Sequence, residues 1–311
     1  MEETTGLNLQ VHAERGRKLA DMLIDAFKSG GILGHKEMPE DAPPEGVEKR
    51  SLEYIRFITM VVSLDYQRDA NALWRHARET YADQGTRYLF DPEEFTEDML
   101  HGAKFNKVKD DMQKYKLSKR PTKDARIWIT NAISLKRDWG SDPREIFKRN
   151  GWDAVKILEC IRDAKNPEGH KPAFCYLKGE KIGPLWIRML RDSAGLDKFK
   201  NLENVPMPVD IHVARATLAC GVVTGSAEGF RLDSIKGLIR NAWKESMEGS
   251  ENIPIDVDEA LWHLSKYGCT HRDKETGACC HFNSCQARSM CLPGAIHLPN
   301  GKNCKVNTNI S

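Results

Sequence analysis

The chain has 311 residues, of which 40% are hydrophobic and 30% charged, and its formal net charge is +2. This composition excludes wholesale disorder, and the length allows one large domain or two moderate ones. The sequence contains no run of about 18 apolar residues, the length needed to span a membrane. Its opening, MEETTGLNLQ, does not have the pattern of a signal peptide. We therefore expect a soluble, cytoplasmic monomer with no membrane partner.

The first part of the chain reads as a series of helices. Apolar side chains recur at helical spacing over residues 8–28, and Ser29-Gly30-Gly31 ends that pattern. Residues 35–49 carry three prolines among acidic residues and a glycine, which predicts a linker. Ser51 is placed to cap the apolar helix that follows it, and another helical run begins near Leu73.

Helical spacing continues through a basic region. Residues 95–139 are rich in lysine and arginine, a pattern that suits either phosphate contacts or a solvated helix face. Asp142 then precedes Pro143 in the order of an N-cap and a first helical residue. No stretch alternates with the period of a half-buried strand, so the sequence predicts an all-α protein of ten or more helices.

The stretch from Leu177 to Cys220 places two charged residues at predicted helix starts. The turn Gly179-Glu180-Lys181-Ile182-Gly183 precedes Pro184, a residue typical of a first helical position, and amides at such a start attract phosphate. Asp210 precedes another helical run and is a good N-cap, a role that keeps its carboxylate ionised. A rigid, ionised carboxylate also suits the cation that develops at a deoxyribose C1′ when its glycosidic bond breaks.

The residues around Asp210 resemble a known family. The run Val205-Pro206-Met207-Pro208-Val209-Asp210-Ile211-His212-Val213-Ala214-Arg215 resembles helix-hairpin-helix DNA glycosylases, and within them the archaeal 8-oxoguanine branch. That branch places its catalytic lysine ahead of an I-K-I-L helix, a pattern that Lys181 followed by Ile187-Arg188-Met189-Leu190 matches. The resemblance implies two helical lobes with a helix-hairpin-helix motif and a DNA-binding cleft.

The resemblance also implies a bifunctional mechanism, with Lys181 and Asp210 as catalytic residues. Lys181 would attack C1′ as a partly desolvated amine, displace the damaged base and form a Schiff base that eliminates the 3′ phosphate. The base would first be flipped from the stack. The partner is then double-stranded DNA containing a damaged or mismatched base, 8-oxoguanine being the first candidate, which places the protein at the nucleoid. The expected DNA-binding residues are Gln67, Gly179, Gly183, His212 and Arg215.

The hairpin departs from the family pattern. The family's L-P-G-x-G places its lysine two residues after the second glycine, and that alignment puts Leu185 at the lysine position. A monofunctional glycosylase, acting on adenine, alkylated purines or mismatched thymine, is then the alternative. A third possibility is that Lys178 occupies the lysine position. Another class, a metal-bearing helical nucleic-acid-binding protein without catalytic activity, also stays open.

The C-terminal region predicts a metal site. Helices are expected at about 226–236, 238–247 and 256–267, with Gly268 at the C-cap of the last. Six cysteines follow, and crowded cysteines in a reducing compartment favour metal ligation. The resemblance to the endonuclease III-like iron–sulfur loop selects Cys269, Cys280 (or Cys279), Cys285 and Cys291 as ligands of a [4Fe–4S] cluster. A structural zinc, with His271 and His281 available, and free thiols are the alternatives.

These features divide the chain into four parts. Residues 1–50 are an N-terminal helical segment of the first lobe, and residues 51–200 form the helical lobe with the hairpin. Residues 201–268 return to the first lobe with the catalytic aspartate, and residues 269–311 are the cysteine-rich loop and tail.

Overall fold

Helices dominate the structure, a computed structural model that describes residues 7–166, 169, 171–299 and 301–310. The helices are α1 (Ala13–Gly30), α2 (Leu52–Val62), α3 (Ala70–Ala82), α4 (Gly102–Lys114), α5 (Pro121–Trp139), α6 (Pro143–Arg149), α7 (Ala154–Asp163), α8 (Ile182–Asp192), α9 (Ile211–Ala219), α10 (Leu232–Met247) and α11 (Asp258–His263). The strands are β1 (Asn8–Val11), β2 (Val223–Ser226), β3 (Gly294–His297) and β4 (Lys305–Thr308). In this part of the chain no helix is both long enough and apolar enough to cross a bilayer.

The chain divides into two compact units. Unit 1 comprises Met1–Glu37 and Pro206–Ser311, and unit 2 comprises Met38–Val205. The chain passes from unit 1 to unit 2 inside the predicted linker, and it returns just ahead of Asp210. Unit 1 therefore holds α1, α9, α10, α11 and the four strands, whereas unit 2 holds α2 to α8.

A small antiparallel sheet in unit 1 corrects the all-α expectation. The strands lie in the order β1-β2-β4-β3, with Val11 opposite Val223 and Ile296 opposite Val306. Each strand has four residues, too few for the alternation of buried and exposed side chains to stand out. Residues 8–11, predicted as the start of a helix over 8–28, form strand β1 of this sheet instead.

Several helix boundaries follow the predicted capping chemistry. The Ser51 hydroxyl accepts a hydrogen bond from the Tyr54 amide at 3.1 Å, which confirms the cap of α2. Asp142 caps α6, and Pro143 is the first residue of that helix. The prediction for Pro184 was wrong, because α8 begins two residues earlier at Ile182. The helices predicted at 226–236 and 238–247 are the single helix α10, preceded by a strand.

The core of unit 1 brings α1 against α10. Gly16 permits this close approach, because a Cβ at that position would lie 2.0 Å from the Ser246 hydroxyl oxygen. Trp243 is fully buried on α10, and its indole nitrogen donates a hydrogen bond to the Thr217 hydroxyl at 2.9 Å. The aromatic side chain therefore ties α10 to α9, the helix that Asp210 precedes, without leaving a buried polar group unbonded.

The core of unit 2 is built around α8. Every residue from Ile182 to Leu190 is buried, including the charged Arg188. The Arg188 guanidinium lies 2.8 Å from the Glu40 carboxylate, and both side chains are 1% exposed. Burial raises the pKa of Glu40, and the Arg188 charge opposes that rise. Because a buried charge is costly without a partner, this pair fixes α8 against the segment that enters unit 2.

Candidate functional site

Lys181 lies immediately before α8 and forms an ion pair with Asp65. Its amine lies 2.8 Å from the Asp65 carboxylate oxygen Oδ2 and donates a second hydrogen bond to the Asp65 carbonyl at 3.2 Å. The Lys181 side chain is 24% exposed and that of Asp65 is 9% exposed. The lysine is therefore partly desolvated, and its amine is held against a carboxylate.

The helix-hairpin-helix motif was predicted at the turn before α8. The chain from Ala164 to Lys181 folds as bends and turns where it is described, so a helix-hairpin-helix motif is not shown. The Gly179 amide donates to the Tyr176 carbonyl at 2.8 Å, and the Gly183 amide donates to the Gly179 carbonyl at 2.9 Å. These two amides are therefore engaged within the turn, so phosphate binding through them stays a prediction.

Gly183 has a packing role instead. It lies inside α8 and is buried, and a Cβ there would lie 2.9 Å from Leu158 on α7. Leu185, the residue of the alternative alignment, is also buried in α8. Lys178 is exposed, and Lys181 is the lysine that the fold holds against a carboxylate.

Gln67 lies two residues after Asp65, at an exposed corner. Its φ of 53° is in the left-handed region, which is uncommon outside glycine. Its side-chain amide donates to the Tyr66 hydroxyl at 3.3 Å, and its carbonyl accepts a hydrogen bond from Lys119 at 2.6 Å. The corner is therefore held in an unusual conformation by its neighbours, and the predicted contact of Gln67 with DNA stays a prediction.

Asp210 is the N-cap of α9 in unit 1. Its oxygen Oδ1 accepts hydrogen bonds from the backbone amides of His212 at 2.7 Å and Val213 at 2.9 Å, which confirms the predicted cap. Among the described residues, Oδ2 accepts no hydrogen bond. One oxygen thus fixes the carboxylate while the other is available to a ligand, and the side chain is only partly buried.

His212 and Arg215 both point to the segment that leads into the cysteine loop. His212 Nδ1 lies 3.2 Å from the Ser265 hydroxyl, and Arg215 donates to that hydroxyl at 3.1 Å and to Thr270 at 3.0 Å. Burial lowers the pKa of Arg215. Ser265 belongs to a π-helical turn that extends α11 through Leu264–Gly268. The contacts observed for the two residues join α9 to this turn, and contact with DNA stays a prediction for both.

Five cysteines line one pocket in unit 1. Four of them, Cys269, Cys279, Cys285 and Cys291, come from the C-terminal loop, and Cys220 is the fifth; the apolar side chains of Leu264, Phe282 and Ala287 share the lining. Cys280 is exposed, so Cys279 is the member of the adjacent pair that reaches the pocket. Cys304 is buried elsewhere in the unit 1 core. Neither His271 nor His281 lines this pocket.

A buried arginine lies against the cysteines of this pocket. Arg272 is 6% exposed and donates through Nη2 to the Cys291 sulfur at 2.9 Å. Its Nη1 is buried and has no hydrogen-bond partner in the described chain. A buried cationic donor without a partner is costly, and a negatively charged thiolate cluster would supply that partner.

In the described residues no group of three or more histidine, cysteine, aspartate or glutamate side chains is placed to hold a metal ion, so the [4Fe–4S] cluster and the structural zinc both stay predictions. Burial raises the pKa of Cys269 to about 12 and also raises the pKa of Cys285. These thiols are therefore protonated in the free protein and must release protons to a metal.

Two participants were missed by the sequence analysis. Cys220, which no metal pattern in the sequence selects, is buried and lines the cysteine pocket. Asp65 was not predicted either, because nothing local indicates a partner 116 residues away in the sequence. The run Leu64-Asp65-Tyr66-Gln67 has no pattern that identifies this partner.

Comparison with known proteins does not extend this description. No protein-family model matches the chain, and no curated protein matches its sequence.

Proposed function

We propose that this chain is a DNA base-excision glycosylase that also cleaves the resulting abasic site through Lys181. The observation that carries the proposal is Asp210, which two backbone amides hold by one oxygen at the start of α9. It stands in a sequence context that resembles helix-hairpin-helix glycosylases. A partly desolvated lysine paired with a carboxylate, Lys181 with Asp65, adds a nucleophile and a proton acceptor.

Asp210 has an electrostatic task in this mechanism. As the bond between C1′ and the base lengthens, positive charge develops on the sugar, and the base leaves with the bonding electron pair. The α9 amides fix Oδ1, so the carboxylate is held in place before the reaction begins. Preorganised charge of this kind needs no reorganisation at the moment of bond breaking.

Lys181 has the nucleophilic task. The ammonium must lose a proton before it can attack, and Asp65 Oδ2 at 2.8 Å is placed to receive it. The neutral amine then forms a bond to C1′, and the departing base takes up a proton as it leaves. Ring opening gives a Schiff base between Lys181 and the sugar, and loss of a C2′ proton expels the 3′ phosphate.

The proposed substrate is duplex DNA with a damaged or mismatched base, 8-oxoguanine being the first candidate. The target must leave the base stack to expose C1′. The proposed [4Fe–4S] group, held by Cys269, Cys279, Cys285 and Cys291, would fix the loop that follows α11. Arg215 and Thr270 then connect this loop to α9, so metal binding would stabilise the element that Asp210 caps.

A monofunctional glycosylase is the second candidate. The Lys181–Asp65 ion pair also favours it, because a permanently protonated lysine would position Asp65 and the corner without attacking the sugar. Asp210 would then stabilise the sugar cation while water supplies the nucleophile. The two candidates share base release and differ in strand cleavage.

A panel of lesion-containing duplexes tests the proposal. Each duplex carries one 8-oxoguanine, alkylated purine, uracil or mismatch, and released base and strand cleavage are measured separately. The proposal expects base release from at least one duplex, with strand cleavage at the same site. Base release without cleavage supports the monofunctional candidate. Absence of base release from every duplex contradicts both and leaves a nucleic-acid-binding protein.

A further inference from the structure

A stacked pair of aromatic rings, one exposed and one partly buried, lies beside Asp65 in unit 2. The rings of Tyr66 and Tyr176 stack with centroids 5.2 Å apart and an interplanar angle of 26°. The Arg120 guanidinium carbon lies 5.2 Å from the first ring centroid and 5.6 Å from the second. Tyr66 is 37% exposed, one of the few large apolar side chains of the described chain left at the surface. Three π systems therefore meet in one place, with one ring accessible.

The surroundings of this pair are positively charged. The Lys123 ammonium lies 5.2 Å from the Tyr176 centroid, and Lys119 is held at the corner by its hydrogen bond to the Gln67 carbonyl. Both lysines are exposed. The acidic residue among them, Asp124, is 2% exposed and accepts hydrogen bonds from the amides of residues 119 and 120. Asp124 also lies 3.6 Å from the Arg120 guanidinium, so its charge is balanced within the loop, whereas Lys119 and Lys123 face solvent.

The backbone at this surface adopts a rare conformation twice. Gln67 has φ of 53° and Tyr176 has φ of 61°, both in the left-handed region. Such conformations cost free energy in non-glycine residues and cluster at binding sites. Here they bring two loops far apart in sequence together so that their tyrosine rings stack.

We propose that Tyr66, Tyr176 and Arg120 form a stacking platform for an unpaired base of single-stranded DNA, with Lys119 and Lys123 on its flanking phosphates. A nucleobase offers a flat π face to the exposed Tyr66 ring, and Arg120 adds a cation–π contribution. The phosphates on either side satisfy the lysines. A paired base in a duplex is stacked on its neighbours and cannot offer that face, so the platform selects strands that are already open. The platform stands on its own geometry and rests on the proposed function only where it would present an opened strand to Lys181.

Binding to undamaged DNA tests the platform without any catalytic step. The full chain is titrated into a fluorescein-labelled oligodeoxythymidylate and into a duplex of equal length, with fluorescence anisotropy as the readout. We expect tighter binding of the single strand. Tyr66→Ala should weaken that binding by about 5- to 150-fold, the range of one base stacked on an aromatic ring, whereas Tyr66→Phe should stay within about twofold. Circular dichroism verifies that each variant is folded.

The phosphate contacts have their own control. Lys123→Ala should reduce the salt dependence of single-strand binding by about 0.7 in the log–log slope. Lys156→Ala, which removes an exposed lysine of α7, should leave it unchanged. Inorganic polyphosphate, which has the charge without the bases, should compete poorly.

Three results would overturn the platform: duplex bound at least as tightly as single strand, Tyr66→Ala without effect, or polyphosphate competing as well as the oligonucleotide. The platform and the proposed function fail separately. Loss of single-strand binding in Tyr66→Ala with no base released from any lesion retains the platform and rejects the glycosylase. Base release from a lesion, together with unaltered single-strand binding in Tyr66→Ala, retains the glycosylase and rejects the platform.

Discussion

The starts of α8 and α9 hold their charged residues in different ways. Asp210 is fixed by amides two and three residues further along its own helix. Lys181 is fixed by a carboxylate 116 residues earlier, on a corner that tertiary packing brings to it. The first arrangement survives almost any change elsewhere, because it is local. The second depends on how unit 2 packs α8, and it can be altered from several places.

The largest expected effect concerns the loop joined to α9. Cys279→Ser should abolish the binding of the proposed four-thiolate metal group, because serine does not supply a thiolate ligand. The readouts are iron and zinc analysis of the purified protein and its visible absorption. Cys280→Ser is the matched control, since Cys280 is exposed outside the pocket, and it should retain the metal. Metal retained in Cys279→Ser and lost in Cys280→Ser would reverse the ligand assignment.

The next effect concerns the packing that positions Lys181. Arg188→Met should destabilise unit 2 by about 3–5 kcal/mol, because it leaves Glu40 buried without its cation. Urea unfolding measures the change. The double variant Glu40→Leu/Arg188→Met should recover most of the loss. Lys148→Met, which removes an exposed ion pair with Glu145, should cost about 1 kcal/mol or less. Equal costs for the two single variants would show that α8 does not depend on its buried pair.

Asp210 offers a test in which the fold is unchanged. Asp210→Asn should reduce base release by about 10²–10³-fold, the cost of losing one preorganised electrostatic contact. Its unfolding free energy should change by less than about 0.5 kcal/mol, because asparagine caps a helix as well as aspartate does. Asp153→Asn, at the N-cap of α7 with the same pair of amide bonds, should change neither. Undiminished base release in Asp210→Asn would leave the residue as a cap alone.

The smallest expected effect tests whether Asp65 accepts a proton from Lys181 or only holds it in position. Asp65→Asn removes the proposed proton acceptor while retaining the shape of the side chain, so strand cleavage near pH 7 should fall by about 10²-fold. Its rate should recover at higher pH, where solution deprotonates Lys181. Asp111→Asn, which breaks the surface pair with Lys107, should leave the rate unchanged. A pH profile identical to that of the original chain would remove Asp65 from the mechanism.

The same contrast explains what the sequence could predict. The caps at Ser51, Asp142 and Asp210 were predictable because each involves amides within three residues. The partner of Lys181 was not, since only the packing of unit 2 brings residue 65 to residue 181. Four-residue strands gave no readable alternation, so the sheet of unit 1 was missed. The choice of Cys279 over Cys280 likewise depends on which side of the loop faces the pocket.

Reductive trapping on a lesion-containing duplex tests the central claim most directly. Sodium borohydride converts the Schiff base between enzyme and sugar into a stable adduct, which denaturing electrophoresis detects. We expect an adduct with the original chain and with Lys178→Ala, and none with Lys181→Ala. An adduct that persists in Lys181→Ala would contradict the assignment of the nucleophile. If the original chain forms no adduct on any duplex from which it releases a base, the lyase mechanism is excluded.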